Sequence, residues 1–223
     1  MTQQTSVRKH KSNFEFSNGF LQEMLTAFLA TAVLADLAPV TLVQQQGDVN
    51  CSTYGKRFVK EGLDNGIGQQ AHVKLYLKSS PVAGVKYNQM LHSWVACSNE
   101  FVVPIDDDYD DFPYRVATCA DTGKSVIYCF MFGVPCKRCI LGDLTQVHTC
   151  MANDTLRDRL VSEMHAVADR YDAVPTVLLR NQSVPTTTPA SSNDPRPLLD
   201  SVCKLKPMPT PLPDACNNAT YRA

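Results

Sequence analysis

Cysteine is the residue type with the clearest chemical potential in this chain of 223 residues. Cys136 and Cys139 have the C-x-x-C spacing, with a lysine and an arginine between them. Two thiols at this spacing can exchange with disulfides, and neighbouring cations lower the thiol pKa and so favour the reactive thiolate. No clear strand-to-helix turn precedes the pair, however. The alternative is a structural disulfide, which is the commoner role of lumenal cysteines.

The same two cysteines also begin a zinc-like pattern, C-x2-C-x8-H-x-C, which continues to His148 and Cys150. The ligand types suit tetrahedral zinc. Structural zinc requires thiolates, which compete poorly with oxidation in a secretory compartment. We therefore predict no metal site, and we predict no cofactor.

The N-terminal residues have the pattern of a targeting segment. Arg8, Lys9 and Lys11 precede an uncharged run of twelve residues, 24–35. Its length fits the apolar region of a signal peptide and is too short for a membrane span of about 20 residues. Residues 1–35 are therefore predicted to be a cleaved signal peptide. The alternative is an uncleaved signal anchor, which would be the only membrane contact.

Four sequons and the cysteine distribution agree with entry into the secretory pathway. The candidate glycosylation sites are Asn50, Asn153, Asn181 and Asn218. All nine cysteines lie beyond the leader, as a disulfide framework in an oxidising compartment requires. Because nine is odd, one thiol is free or bonded to another chain. We predict a lysosomal or extracellular glycoprotein.

The charge balance argues against one broad class of partner. With 21 basic and 22 acidic residues, the formal net charge is -1. This balance gives no global electrostatic attraction for nucleic acid or for an anionic membrane. We therefore expect the function to reside in local sites.

The periodicity of the apolar residues predicts the elements that position these groups. Residues 72–77 alternate as a strand, residues 84–96 have helical spacing, and residues 101–105 form a short apolar strand. This is the βαβ pattern of an α/β sheet. His92 and His165 lie in predicted helices, and we expect them to be surface or cap residues.

The second half of the chain predicts a helix at 156–171 with a capping box at Thr155, strands at 174–179 and 181–184, and a helix at 198–205. This order predicts an α/β, thioredoxin-like fold, in which a cis proline faces the redox turn. Pro175 stands at that position, although an ordinary trans proline is the commoner state of such a bond. We predict a domain at 71–216 with a disulfide-rich insertion at 115–150, an N-terminal extension at 36–70 and a tail at 217–223.

Residues 75–87, LYLKSSPVAGVKY, resemble the active-site strand and helix start of the gamma-interferon-inducible lysosomal thiol reductase family. That family typically has VYYES-L-C-P-x-C there, followed by an aromatic residue three positions on. Tyr76 and Ser79 match the family pattern, and Tyr87 takes the aromatic place.

Neither family cysteine is present in this stretch. The two cysteines fall on proline and glycine, and a shift of one residue places them on Ser80 and an alanine. The resemblance therefore implies a degenerate redox turn that faces Pro175. Its residues are Pro81, Val82, Ala83 and Gly84.

Three further stretches carry the same resemblance. Residues 129–136 have the length and the two end cysteines of the family's CQHGxxEC signature, and residues 150–178 resemble the helix and Val-Pro strand of its second half. Cys203 and Cys216 resemble its C-terminal cysteine pair. The resemblance thus implies two disulfides, Cys129–Cys136 and Cys203–Cys216.

Family members reduce protein disulfides without a bound cofactor. In a thioredoxin-like reductase the first cysteine attacks as a thiolate stabilised by the helix dipole, and the second resolves the mixed disulfide. Proline and glycine can perform neither step. We therefore predict a non-catalytic protein whose groove binds unfolded or disulfide-containing polypeptide. The alternative is an active thiol-disulfide oxidoreductase that uses Cys136 and Cys139, and the odd cysteine would allow a disulfide-linked partner.

Overall fold

The fold is built around a four-stranded mixed sheet. A computed structural model describes residues 37–101, 112–121, 123–129, 143–188, 191–205 and 213–217. β1 is parallel to β2 and antiparallel to β3, and β3 is antiparallel to β4. The strands, in the spatial order β2-β1-β3-β4, are β1 (Ala38–Gln44), β2 (Ala71–Leu77), β3 (Thr176–Leu179) and β4 (Gln182–Val184).

Helices cover the sheet and connect its strands. Within the described part they are α1 (Val49–Glu61), α2 (Gln89–Phe101), α3 (Phe112–Ala120), α4 (Val126–Tyr128), α5 (Asp143–Ala152), α6 (Asp154–Ala168), α7 (Arg196–Cys203) and α8 (Asp214–Asn217), with short 3-10 turns at Leu63–Asn65 and Ile67–Gln69. Helix α1 is the crossover that a parallel β1–β2 pair requires. Helices α2 and α6 pack on each other and on β2. None of the described helices combines the length and apolar character needed to cross a bilayer.

The order and directions of these elements are those of a thioredoxin-like fold, as predicted from the sequence. The second half matches the prediction within a few residues, because its signals are local. Arg180 and Asn181 both have positive φ and form the tight turn between β3 and β4, as a two-residue hairpin requires. Helix α6 is capped by Asn153, whose side chain accepts a hydrogen bond from Leu156 N, rather than by the predicted box at Thr155.

Strand β1 corrects the predicted domain boundary. We expected residues 36–70 to be an extension outside the domain, but they contain the central strand and its crossover helix. β1 lies between β2 and β3, and five of its seven residues are buried. Such a strand is a near-continuous apolar run without alternation. In the sequence it closely follows the apolar run at 24–35, so it could not be distinguished from a continuation of that run.

The irregular segment between β2 and α2 also differs from the prediction. Helix α2 begins at Gln89, after Asn88 accepts a hydrogen bond from Leu91 N, and continues to Phe101. Residues 78–88 therefore form a non-helical stretch, hereafter segment 78–88. Phe101 is helical, which contradicts the start of the strand predicted at 101–105. The rest of that strand lies outside the described residues.

In the described part of the chain, three disulfides join helices to one another. Cys97–Cys150 joins α2 to α5, and Cys119–Cys129 joins α3 to the end of α4. Cys203–Cys216 joins α7 to α8 and confirms the predicted C-terminal pair. Helices α3 to α5 thus form the predicted disulfide-rich insertion between α2 and α6.

The disulfide pattern also corrects one expectation and removes a ligand from the zinc alternative. Cys129 is bonded to Cys119 and not to Cys136, because α3 and α4 bring the Cα atoms of Cys119 and Cys129 to 5.7 Å, a normal disulfide span. Cys150, which the zinc alternative needs as a thiolate, is bonded to Cys97. Cys136 and Cys139 lie outside the described residues.

A buried carboxylate ties α1 to the start of α7. The side chain of Asp194 is fully buried and accepts hydrogen bonds from Arg57 on α1, from Arg196 and from the Thr188 hydroxyl. Burial alone raises the pKa of Asp194, but these partners together lower it to about 2. The carboxylate is therefore charged at neutral pH and holds three parts of the chain in place.

The outer edge of β2 is closed by a side chain. The amide of Asn99 on α2 accepts a hydrogen bond from Leu75 N at 3.3 Å and donates one to Leu75 O at 2.5 Å. It therefore takes the place that a neighbouring strand would occupy. Unpaired backbone groups on an edge strand can pair with a strand of another chain. The contact with Asn99 occupies both backbone groups of Leu75, at the centre of β2, and so blocks such pairing there.

Candidate functional site

The site begins at the turn from β1 into α1, residues 45–48. Thr176 of β3 pairs with Val43 of β1, so Pro175, one residue earlier, lies beside the C-terminal end of β1. The Val174-Pro175 bond is cis. The strand-to-helix turn beside this proline is therefore the one after β1, one strand away from the Pro81–Gly84 stretch. Those four residues instead follow β2, within segment 78–88.

Asp48 occupies the chemically important end of this turn. It is the N-cap of α1, and its Oδ1 accepts a hydrogen bond from Cys51 N at 2.8 Å. Thioredoxin-like enzymes use the positive end of a helix dipole at such a position to stabilise a cysteine thiolate. Here a carboxylate takes that position, and the pattern Asp48-x-x-Cys51 stands where a C-x-x-C would stand.

Cys51 is buried because it belongs to the apolar stripe of α1. The stripe has the spacing i, i+3, i+4, i+7, which faces one side of a helix into the core. The thiol is free, and its sulfur receives a hydrogen bond from Gln45 N at 3.4 Å. Burial raises the pKa of Cys51 well above its ordinary value, and the negative charge of Asp48 acts in the same direction. The thiol is therefore protonated and shielded from solvent.

Gln46 fastens segment 78–88 to the turn. Its backbone oxygen accepts from Val82 N at 3.0 Å, its Nε2 donates to Lys86 O at 2.9 Å, and its Oε1 accepts from Asn88 N at 3.0 Å. The side chain is buried, so these bonds satisfy an amide that is largely shielded from water. One glutamine thus determines the path of most of the segment.

Gly47 allows the segment to approach closely. Its φ is +80°, and a Cβ built on it would lie 2.6 Å from Val85 Cγ2. Gly47 N donates to Asp121 Oδ1 at 3.0 Å, which brings the end of α3 to the same place. Burial raises the pKa of Asp121, although the bond from Gly47 opposes the change. A side chain at position 47 would push Val85 away.

A cavity of about 470 Å³ opens between the turn, segment 78–88 and the end of α3. We call it the groove. Two of its lining residues, Val85 and Tyr87, are large apolar residues that remain exposed. It is lined by Gln46, Gly47, Val85, Lys86, Tyr87, Asn88, Gln89, Ala120, Asp121, Gly123 and Lys124.

A pair of histidines lies behind the groove. His92 on α2 is fully buried, and its Nδ1 lies 2.9 Å from Nε2 of His165 on α6. Its Nε2 lies 3.3 Å from Gln46 Oε1, and the ring of Tyr87 covers it at 4.4 Å between centroids. The expectation that His92 is a surface or cap residue is therefore wrong, because the partner that buries it comes from a helix 73 residues away.

The predicted glycosylation sites differ in their surroundings. Asn50 is exposed on the first turn of α1, and its Oδ1 accepts from Asn193. Asn153 is exposed and caps α6, while Asn181 is exposed in the β3–β4 turn. Asn218 lies outside the described residues. All three described asparagines are therefore accessible in the folded protein.

The fold and the site together define a class: a thioredoxin-like protein whose redox-position turn has an aspartate and one buried cysteine. No protein family model matches the chain, and no curated protein matches it. Asp48 and Cys51 were not predicted as site residues, although an N-cap aspartate followed by the spacing of Cys51, Tyr54 and Phe58 is a recognisable helix start.

Proposed function

We propose that this protein is a non-catalytic, polypeptide-binding relative of the lysosomal thiol reductase family, located in the secretory pathway or outside the cell. One observation carries the proposal: Asp48 holds the helix end where a thioredoxin-like enzyme has its nucleophilic thiol, and it uses its carboxylate to cap the helix. The groove beside it remains open.

Neither Asp48 nor Cys51 can carry out disulfide exchange at this turn. A disulfide exchange begins when a thiolate attacks one sulfur of the substrate, forms a mixed disulfide and expels the other sulfur. The carboxylate of Asp48 cannot form that bond. Cys51 is in the wrong state as well, because it is fully buried and burial raises its pKa. Neither step of the family reaction is open to these two residues.

The argument for binding rests on surface chemistry. Val85 and Tyr87 are large apolar residues that line this cavity and remain exposed. Exposed apolar side chains grouped around a concavity mark interaction sites more often than scattered ones do. An extended polypeptide offers both apolar side chains and backbone groups, which suits a groove with apolar and polar lining. No cofactor is part of the proposal.

The proposed compartment is supported by the covalent structure. Three disulfides in the described part of the chain fit an oxidising environment. The signal peptide, the glycans and the choice between lysosome and extracellular space belong to the proposal. Mass spectrometry of the mature glycoprotein would test the first two directly.

Binding is tested with an unfolded polypeptide whose cysteines are blocked by a neutral group, so that thiol exchange cannot contribute. The wild type is compared with Gln89→Arg, which adds bulk and charge inside the groove, and with Gln182→Arg as a matched control. Gln182 is exposed on β4, at the opposite end of the sheet. By fluorescence anisotropy we expect only Gln89→Arg to weaken binding, by about tenfold, the equivalent of about 1.4 kcal/mol. Absence of binding by the wild type, or equal loss in both variants, would contradict the proposal.

The loss of chemistry is tested by restoring the missing thiol. Asp48→Cys creates a C-x-x-C at the start of α1, where the helix dipole favours a thiolate. We expect the prereduced variant to reduce a denatured disulfide substrate, while the wild type does not exceed a thiol-blocked sample. If Asp48→Cys is as inactive as the wild type, the turn after β1 is not the redox position.

A second candidate function is favoured by the count of cysteines. Among the described residues, six cysteines are bonded in three disulfides and Cys51 is a buried free thiol, so Cys136 and Cys139 are the two of the nine that remain. A redox pair at these positions would make the protein an active oxidoreductase. Cys139→Ser would then trap a mixed disulfide with substrate at Cys136, and the trapped species would be identified by peptide mapping.

A further inference from the structure

The hydrogen bonds around His92 determine which ring nitrogens carry protons. Gln46 Nε2 donates to Lys86 O and its Oε1 accepts from Asn88 N, so the orientation of the Gln46 amide is fixed by the backbone. His92 Nε2 faces that oxygen and must carry a hydrogen. In the neutral ring Nδ1 is then an acceptor, and His165 Nε2 donates to it.

This chain of bonds tolerates one added proton but not two. A proton on Nδ1 of His165 leaves the His165 to His92 bond intact. A proton on Nδ1 of His92 places two N–H groups, and then two positive charges, at a contact of 2.9 Å. The doubly protonated rings must therefore separate.

Separation of the rings would reach the groove through Tyr87. The Tyr87 ring packs on His92 with 4.4 Å between ring centroids and lies edge-on to His165 at 6.5 Å, so both histidines support the Tyr87 ring. Tyr87 and its neighbours Val85 and Lys86 line the groove. Loss of these two ring contacts would free the part of segment 78–88 that lines the groove.

We propose that His92 and His165 form a pH-sensitive latch. At neutral pH the pair holds segment 78–88 in place as one wall of the groove, and it releases the segment when both rings are protonated. The latch regulates the proposed polypeptide-binding site, and its functional meaning rests on that proposal. Proton binding itself is independent of any ligand.

The charged groups around the latch support the direction of the effect. Burial, with a contribution from charge on His165, lowers the pKa of His92 to about 4. Burial also lowers the pKa of His165, against the raising effect of Asp169, the C-cap residue of the same helix. Among the described residues, Lys78 and Ser79 from the segment face Asp169, and Asp158 on α6 acts on Tyr87.

Both rings thus bind protons more weakly in the closed state than when released into water. Acidification therefore favours release. The effect begins as the pH falls below about 6.5, the ordinary pKa of histidine, and is complete only near the lowered pKa of His92.

Hydrogen exchange measures the latch without any ligand. The amides of Val82, Val85 and Asn88 are hydrogen-bonded within the segment or to Gln46, and β1 serves as an internal reference. Between about pH 7 and about pH 4.5, we expect their protection, corrected for intrinsic exchange, to fall at least about tenfold in the wild type. Protection of β1 should remain.

His165→Gln removes one of the two titrating rings but keeps the contact. A glutamine amide donates to neutral His92 and, after rotation, accepts from protonated His92, so two positive charges no longer meet. Only the burial of His92 then opposes its protonation, and protection of the segment should fall much less with pH than in the wild type. His148→Gln, at an exposed position on α5, is the control and should behave as the wild type. Constant protection in the wild type, or an equal fall in His165→Gln, would overturn the latch.

The polypeptide probe separates the two proposals. If binding falls with pH together with the protection of the segment, and His165→Gln reduces both changes, both proposals are supported. If the segment opens as expected but no polypeptide binds at either pH, the latch stands and the proposed function fails. If polypeptide binds equally at both pH values and protection is constant, the function stands and the latch fails.

Discussion

Gly47 offers a sharp test of how segment 78–88 is held. We consider Gly47→Ala beside a matched control, Gly84→Ala. Both glycines have positive φ, +80° and +84°, so alanine meets the same backbone strain at each. A Cβ at position 47 would lie 2.6 Å from Val85 Cγ2, whereas a Cβ at position 84 meets nothing within 4 Å. The difference between the two variants therefore isolates the contact with Val85.

The magnitudes follow from these distances. The left-handed backbone costs alanine about 1–2 kcal/mol, and the stiffer unfolded chain returns about 0.4–1 kcal/mol, so Gly84→Ala should cost about 1 kcal/mol. Overpacking adds about 1–3 kcal/mol at a site that cannot relax, which gives about 2–4 kcal/mol for Gly47→Ala. Val85→Ala in the Gly47→Ala background removes the two closest atoms and should recover most of the difference.

Urea unfolding at neutral pH, followed by the fluorescence of Trp94, measures these free energies of unfolding. Trp94 is the only tryptophan and is buried, so its signal reports the loss of the core. A difference between Gly47→Ala and Gly84→Ala of less than about 0.5 kcal/mol, within the usual error of additivity, would refute the close packing of Val85 on Gly47.

Three further predictions address other parts of the fold. Asp194, with a pKa of about 2, should contribute about 2–3 kcal/mol of stability above about pH 4 that is lost as the pH falls toward 2, and Asp194→Asn should remove this pH-dependent part of the urea midpoint. Cys51 should resist a maleimide in the native protein and react on unfolding, and labelling of the native state at Cys51 by peptide mapping would contradict its burial. Asn99→Ala should cost about 1–3 kcal/mol and speed hydrogen exchange at Leu75 N, because it leaves two backbone groups of an edge strand unpaired.

The sequence predicted the second half of the fold well because its signals are short-range. The apolar stripe of α6, the proline before β3 and the turn at Asn181 each identify an element without reference to distant residues. The first half was shifted by one strand, because β1 is buried on both faces and lacks the alternation that reveals a strand. Because β1 was not predicted, β2 was taken as the first strand, and the redox turn was predicted after β2 and not after β1.

The candidate site was harder to predict for a second reason. Its groups meet through pairings across long sequence separations: Gly47 with Asp121, Gln46 with Asn88, and His92 with His165. Periodicity assigns such residues to helices and loops but does not say which of them touch. The burial of His92, in particular, follows from the packing of α2 on α6 and from nothing in its local sequence.

The Cys97–Cys150 disulfide has a consequence for how the molecule ages. Its two cysteines are 53 positions apart in the sequence, and both residues of the Cys119–Cys129 bond lie between them. A protease that cuts the backbone once between residues 97 and 150 divides the chain but not the molecule, since α2 and α5 stay covalently joined. Nicked protein would run as one band on a non-reducing gel and as two after reduction. Among proteases, the protein would therefore stay in one covalent piece after a first cut in this region.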